Sequence, residues 1–182
     1  ASSVAGIPFY TADTSSIYTT DVSGTDDTAS GNSAYGYQAL DAITTGDNNV
    51  AIGLSALGAN TTGTLNTAVG VSALTANTTG ASNTAVGDES LTANTTASYN
   101  TAFGRRTLYA NTTGTSNIAV GYVALKDNTT GDQNVAIGRG ALANNTTADN
   151  NTAVGQDALG INTTGAENVG IGASALAGNT TG

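Results

Sequence analysis

Apolar and polar residues recur along this chain with a period of 17, each unit following N-[T/V]-A-[V/I]-G-x-x-A-L-x-A-N-T-T-G-x-x. An Asn opens the unit at Asn32, Asn49, Asn66, Asn83, Asn100, Asn117, Asn134, Asn151 and Asn168, so nine units run without insertion or deletion, and they hold 151 of the 182 residues. The opening segment alternates in the way of a short strand, with positions 2 and 4 on one face and position 3 on the other. Seventeen residues are too few for two helices and a turn. The Gly breaks and the β-branched Thr and Val instead predict short strands joined by turns. Each unit therefore reads as one coil of an all-β, parallel β-solenoid. Like residues stack about 4.8 Å apart, and nine coils make a rod of roughly 43 Å.

Several positions hardly vary, as the third unit shows: Asn66 at position 1, Gly70 at 5, Leu74 at 9, Asn77 at 12, and the pair Thr78 and Thr79 at 13 and 14. These form candidate structural ladders. Stacked Asn amides can hydrogen-bond along the rod, and the position-5 Gly supplies the positive φ that a corner requires. Position 12 is Asn in every unit but the first, where Ile43 stands. Leu, Val, Ile and Ala must supply the packing. Position 3 is Ala in all units but the last, which has Gly170, and position 4 is Val, Ile, Phe or Tyr throughout, so both faces of the strand read as apolar. Such a strand resembles one covered on both sides. One cover is the coil's own interior; the other is expected to be a neighbouring chain, giving a parallel homo-oligomer, with a trimer preferred.

Residues 1–31 fall outside the repeat and read as a cap, connector or docking segment, with Ile7, Phe9, Tyr10, Ile17 and Tyr18 as its apolar islands. The second island through Val22 is expected as an edge strand, and Asp26 and Asp27 begin a turn into the first coil. The repeat runs to Gly182 with no polar capping unit. An end of that kind suits a piece of a longer fibre or a surface onto which the next subunit's N-terminal segment docks head to tail. The start at Ala1-Ser2-Ser3 suits signal-peptide removal or trimming.

Composition narrows the chemistry. The chain has no His, Cys, Met or Trp, only 9% charged residues and a net charge of −9. The commonest metal ligands, thiol nucleophiles and the usual neutral-pH base are thus missing. Nucleic acid and anionic lipid are poor partners for so acidic a chain. No catalytic residue, metal or cofactor is expected, and the scattered carboxylates, such as Asp88 and Glu89, form no recognisable constellation because departures from the consensus are spread thinly. Several sharper readings are weaker than plain structural ones. The Thr columns suggest an ice-binding face, Asn-Thr-Thr matches a glycosylation acceptor, and Asp47-Asn48-Asn49 and Asp149-Asn150-Asn151 suggest Ca²⁺. Arg105, Arg106 and Arg139 suggest a contact patch for an acidic glycan or another subunit.

The segments from Asn66 to Gly70 and from Asn134 to Gly138, each followed two residues later by Ala-Leu, resemble the head repeats of YadA-like trimeric autotransporter adhesins. The longer N-T-A-V-G-x-x-A-L pattern is similar to repeats of phage tail-fibre and bacterial surface-fibre proteins. The period here is longer than in the adhesin heads. The resemblance implies a trimeric, extracellular, parallel β-roll that serves as shaft or adhesin, with no catalytic residues to carry over.

Overall fold

The computed structural model describes residues 28–182 together with the backbone of three short N-terminal strands. It is the parallel β-solenoid that the 17-residue period predicts. β1 (Ser2–Val4) and β2 (Ile7–Phe9) form an antiparallel pair, and β3 (Ile17–Tyr18) leads a parallel sheet of ten strands. The others are β4 (Ser33–Tyr35), β5 (Val50–Ile52), β6 (Thr67–Val69), β7 (Thr84–Val86), β8 (Thr101–Phe103), β9 (Ile118–Val120), β10 (Val135–Ile137), β11 (Thr152–Val154) and β12 (Val169–Ile171). From β4 onward each strand pairs with the next at a register shift of 17, as in Ala68 opposite Ala85, so every position of the repeat becomes a column along the rod. Of the N-terminal islands, Ile7 and Phe9 lie in β2, and Ile17 and Tyr18 stack on the first coil through β3. Tyr10, Val22 and the turn at Asp26 and Asp27 lie outside the described residues.

The core is narrow. The Ala of position 3, the Ala of position 8 and the Leu of position 9 are buried from coil to coil. The Val and Ile of position 4 add nothing to it, because in every repeat strand the middle residue faces inward and its neighbours face out. Leu and Ala therefore do the interior packing, and the branched residues of the strand lie outside.

Between the strands the chain turns by two devices. At position 5, Gly has φ between 118° and 141° in all nine coils, and from the second coil on it donates its N–H to the position-4 carbonyl of the preceding coil at 2.7–2.8 Å. An added Cβ on Gly87 would lie 2.4 Å from the Gly104 carbonyl oxygen, so stacking and backbone angle both demand Gly. The second device is invisible in composition. Positions 7, 9 and 17 adopt left-handed φ of 48–64° with ordinary side chains, including every Leu of position 9 and even Val123. Such angles cost on the order of 1–2 kcal/mol per residue. In the interior coils they persist because these N–H groups reach a neighbouring coil: Leu74 donates to Ser90 O at 3.0 Å, Glu89 to Val71 O at 2.9 Å and Ser82 to Thr64 O at 2.9 Å.

The solenoid pattern also begins earlier than position 1 of the first full unit. Thr28 donates to Thr44 O, Ala29 is fully buried, and Ser30 accepts from Asn48 N at 2.9 Å. Residues 28–31 thus occupy positions 14–17 of a preceding coil, with Gly31 in the left-handed conformation of its column.

Candidate functional surfaces

Two amide ladders fill the polar part of the interior. The position-1 Asn accepts, at Oδ1, the backbone N–H of the next position-1 Asn at 2.9–3.0 Å. Its Nδ2 donates to the position-15 carbonyl of its own coil, as Asn66 does to Gly80 O at 2.8 Å. The position-12 Asn donates both to that same carbonyl and to the position-12 Asn of the preceding coil; for Asn77 the partners are Gly80 O at 3.0 Å and Asn60 Oδ1 at 2.8 Å. One inward carbonyl thereby ties positions 1, 12 and 15 together, and the buried amides are satisfied. Ile43 ends the second ladder on its N-terminal side and is itself buried. At the other end, Asn168 Nδ2 is the one buried side-chain polar atom without a partner among the described residues.

The outside of the rod has three chemically distinct sides. The strand side presents positions 2 and 4, which are uncharged in every coil and include Tyr35, Ile52, Phe103, Val120 and Ile137 as exposed residues. The turn side, positions 6–11, carries all four Lys and Arg side chains of the chain. Each is paired: Arg105 with Asp88 at 3.0 Å, Arg106 with Glu89, Lys126 with Asp127 at 3.2 Å and Arg139 with Asp157 at 3.1 Å. The hydrogen bond and charge of Glu89 raise the Arg106 pKa above the ordinary guanidinium value. The third side presents positions 14 and 16. The position-13 hydroxyl is used internally, Thr78 Oγ1 donating to Thr95 O at 3.1 Å, whereas Thr79 and the other position-14 threonines are exposed.

Of the ladder residues read from the sequence, Asn66, Gly70, Leu74, Asn77 and Thr78 all sit in cross-coil columns of the interior or its wall, and only Thr79 turns outward. The departures from consensus are not spread thinly in space. The adjacent coils that open at Asn83 and Asn100 hold Asp88, Glu89, Arg105 and Arg106 as two neighbouring ion pairs. Arg105 also lies over Tyr122 at 5.9 Å and Arg106 over Tyr109 at 5.6 Å. The same two coils replace the position-8 Ala by Ser90 and Thr107, whose hydroxyls donate to Gly87 O and Gly104 O. The sequence conceals this cluster because residues 17 apart become neighbours only on stacking. These carboxylates are engaged by guanidinium groups, an arrangement that braces one coil against the next. With both partners about half exposed, Arg105→Ala is expected to cost less than about 1 kcal/mol, with the difference shrinking at high salt in denaturant titrations.

The suggested Ca²⁺ clusters come apart in three dimensions. Asn49 and Asn151 point into the ladder, while Asp47 and Asp149 accept the backbone N–H of Ser30 and Asp132 at 2.7 Å. Among the described residues no group of three His, Cys, Asp or Glu could hold a metal ion. Most of the Asn residues in the Asn-Thr-Thr triplets are fully buried, with amides committed to the ladder, which leaves them inaccessible to a glycan in the folded chain. No described helix is long and apolar enough to cross a membrane.

Position 16 shows how this surface can be improved. Its N–H is capped by the next coil's position-16 side chain where that is Ser98, Asp132 or Asp149, but Ala81 offers Thr64 no acceptor. Ala81→Asp should add that bond and raise stability by about 0.5–1 kcal/mol, read as a higher denaturation midpoint.

The ladders, the interior columns and the coil-on-coil sheet define the class of this molecule: a parallel β-solenoid protein of tandem repeats. No protein-family model, curated protein or solved structure matches the chain.

Proposed function

We propose that this chain is an extracellular structural and adhesive fibre protein, a stiff β-solenoid shaft that assembles with copies of itself into a fibre. The observation that carries the reading is the continuity of the interior: the position-1 Asn ladder runs through all nine coils and the position-12 ladder from Asn60 through the last, with no coil inserted or skipped. Each coil is hydrogen-bonded to both neighbours through backbone and side chain, so bending the rod requires breaking several bonds at once. The paired charges and the resemblance to adhesin and tail-fibre repeats point the same way. Electron microscopy of the purified chain is expected to show straight rods or filaments of uniform width; round or flexible particles would remove the shaft reading.

One observation favours a second reading, an ice-binding surface. Position 14 is Thr in all nine units although its side chain is exposed and, unlike that of position 13, makes no bond within the rod. A column held constant without a structural task suits an ordered water surface. Freezing-point hysteresis that disappears in Thr79→Tyr and Thr113→Tyr would establish this reading; none in the native chain would end it.

A further inference from the structure

We infer that the strand side, positions 2 and 4 of every coil, is the surface on which a second copy of this chain packs. This deepens the shaft reading and rests on it. Three features of the rod identify the occupant. The first is chemistry: 18 consecutive outward positions of β4–β12 contain no Asp, Glu, Lys or Arg, in a chain whose net charge is −9. A charged partner gains nothing there, and an equally uncharged face covers it without burying a charge. The second is composition. Position 4 reads Tyr35, Ile52, Val69, Val86, Phe103, Val120, Ile137, Val154 and Ile171, all apolar or aromatic, and Phe103 is 53% exposed. Nine coils without one polar substitution at that position is the behaviour of a covered column, since position 6 beside it drifts from Tyr37 to Asp88, Arg105 and Gln156.

The third feature is the repeat itself. Side chains that project every 4.8 Å or so interdigitate over a long distance only with a surface of the same spacing. A second copy has that spacing by construction. A face about 43 Å long and two side-chain columns wide covers roughly 500 Å² per copy, hence about 1,000 Å² per pair, the lower bound for a specific interface. The association is therefore concentration-dependent rather than permanent, and it accumulates along a fibre in which many coils pair at once.

The test is sedimentation and light scattering over about 1–500 μM, together with small-angle scattering. The native chain is expected to shift from 17.7 kDa to a multiple of it. A Val86→Glu, Val120→Glu double variant is expected to stay at the monomer mass with unchanged circular dichroism, while Thr79→Glu, Thr113→Glu on the other side assembles as the native chain does. If the glutamates prevent folding, Val86→Ser, Val120→Ser carries the test, with an expected weakening of association of tenfold or more. A native chain that remains monomeric throughout, or one dissociated by the threonine-side variant and not by the strand-side ones, overturns the inference. A monomer that still scatters as a rod refutes only the pairing, whereas a globular profile refutes the shaft.

Discussion

Gly87→Ala is expected to destabilise the rod by about 3–5 kcal/mol. The residue holds φ at 136°, and its new Cβ would meet Gly104 O at 2.4 Å and Gly104 C at 2.5 Å, all of it backbone that cannot step aside without moving the next coil. Strain of about 1–3 kcal/mol from the angle adds to a comparable amount from overpacking. The repeat supplies its own control. A Cβ at position 15 is also crowded, with Gly114 facing Gly131 O at 2.4 Å, yet Ala97 and Ala148 occupy that column in other coils. The angle at position 15 is not in the left-handed region, so a small displacement of the ladder admits a methyl group. Gly114→Ala should therefore cost no more than about 1.5 kcal/mol, and equal losses from the two variants in urea titrations would show that φ is not what fixes position 5.

Asn117→Ala should cost about 3–4 kcal/mol, because it removes an acceptor from inside the rod. Asn117 Oδ1 takes the backbone N–H of Asn134 at 2.9 Å and its Nδ2 at 3.2 Å, and Asn117 Nδ2 bonds Gly131 O at 2.8 Å. Truncation orphans the Asn134 N–H and leaves a void. Asn117→Asp separates hydrogen bonding from volume. A protonated carboxyl can still donate to Gly131 O and accept from Asn134, whereas the ionised form is a buried charge facing a carbonyl. Burial raises the folded-state pKa above the unfolded value of about 3.9, so the variant is near native below pH 4 and loses stability as pH rises through that higher value. A variant whose melting temperature is flat between pH 3 and pH 8 would contradict the ladder geometry.

The sequence disclosed the architecture because translation by 17 residues does two things at once: it repeats the composition and it places equal side chains in contact. Asn, Gly and Leu columns could be recognised as structural before any coordinate was known. The left-handed residues could not be, since nothing about Leu74 or Val123 favours positive φ; the preference is overridden by hydrogen bonds to coils 17 residues away. Burial of the strand was legible only in part. Alternation separated position 3 from positions 2 and 4, but which face was interior followed from size, since the small Ala alone fits beside the Leu column. The coil fragment at residues 28–31 was faintly visible. Stepping back 17 from Thr45 gives Thr28, then Ala29 and Gly31 in columns that accept Ala and left-handed residues, but Ser30 and the missing Asn dilute the match. The braced pair of coils around Arg105 and Arg106 was hidden because single departures from a consensus carry no spatial information until they stack.

The amide ladder has a direction. Backbone bonds between coils run both ways but not equally, positions 2, 9, 11, 13 and 14 donating forward and positions 5, 7 and 17 backward. The position-12 amides all donate backward, Asn77 to Asn60, Asn94 to Asn77 and onward to Asn179 to Asn162, and the position-1 N–H groups do the same. These aligned bonds polarise one another along the interior. The amide ladders thus point opposite to the larger set of inter-coil backbone bonds and to the position-13 hydroxyls, as in Thr78 to Thr95 O, and each set keeps its sense from coil to coil. The two ends of the rod therefore offer different groups, and rods joined end to end through these columns must share one heading, so a fibre built that way inherits a grain.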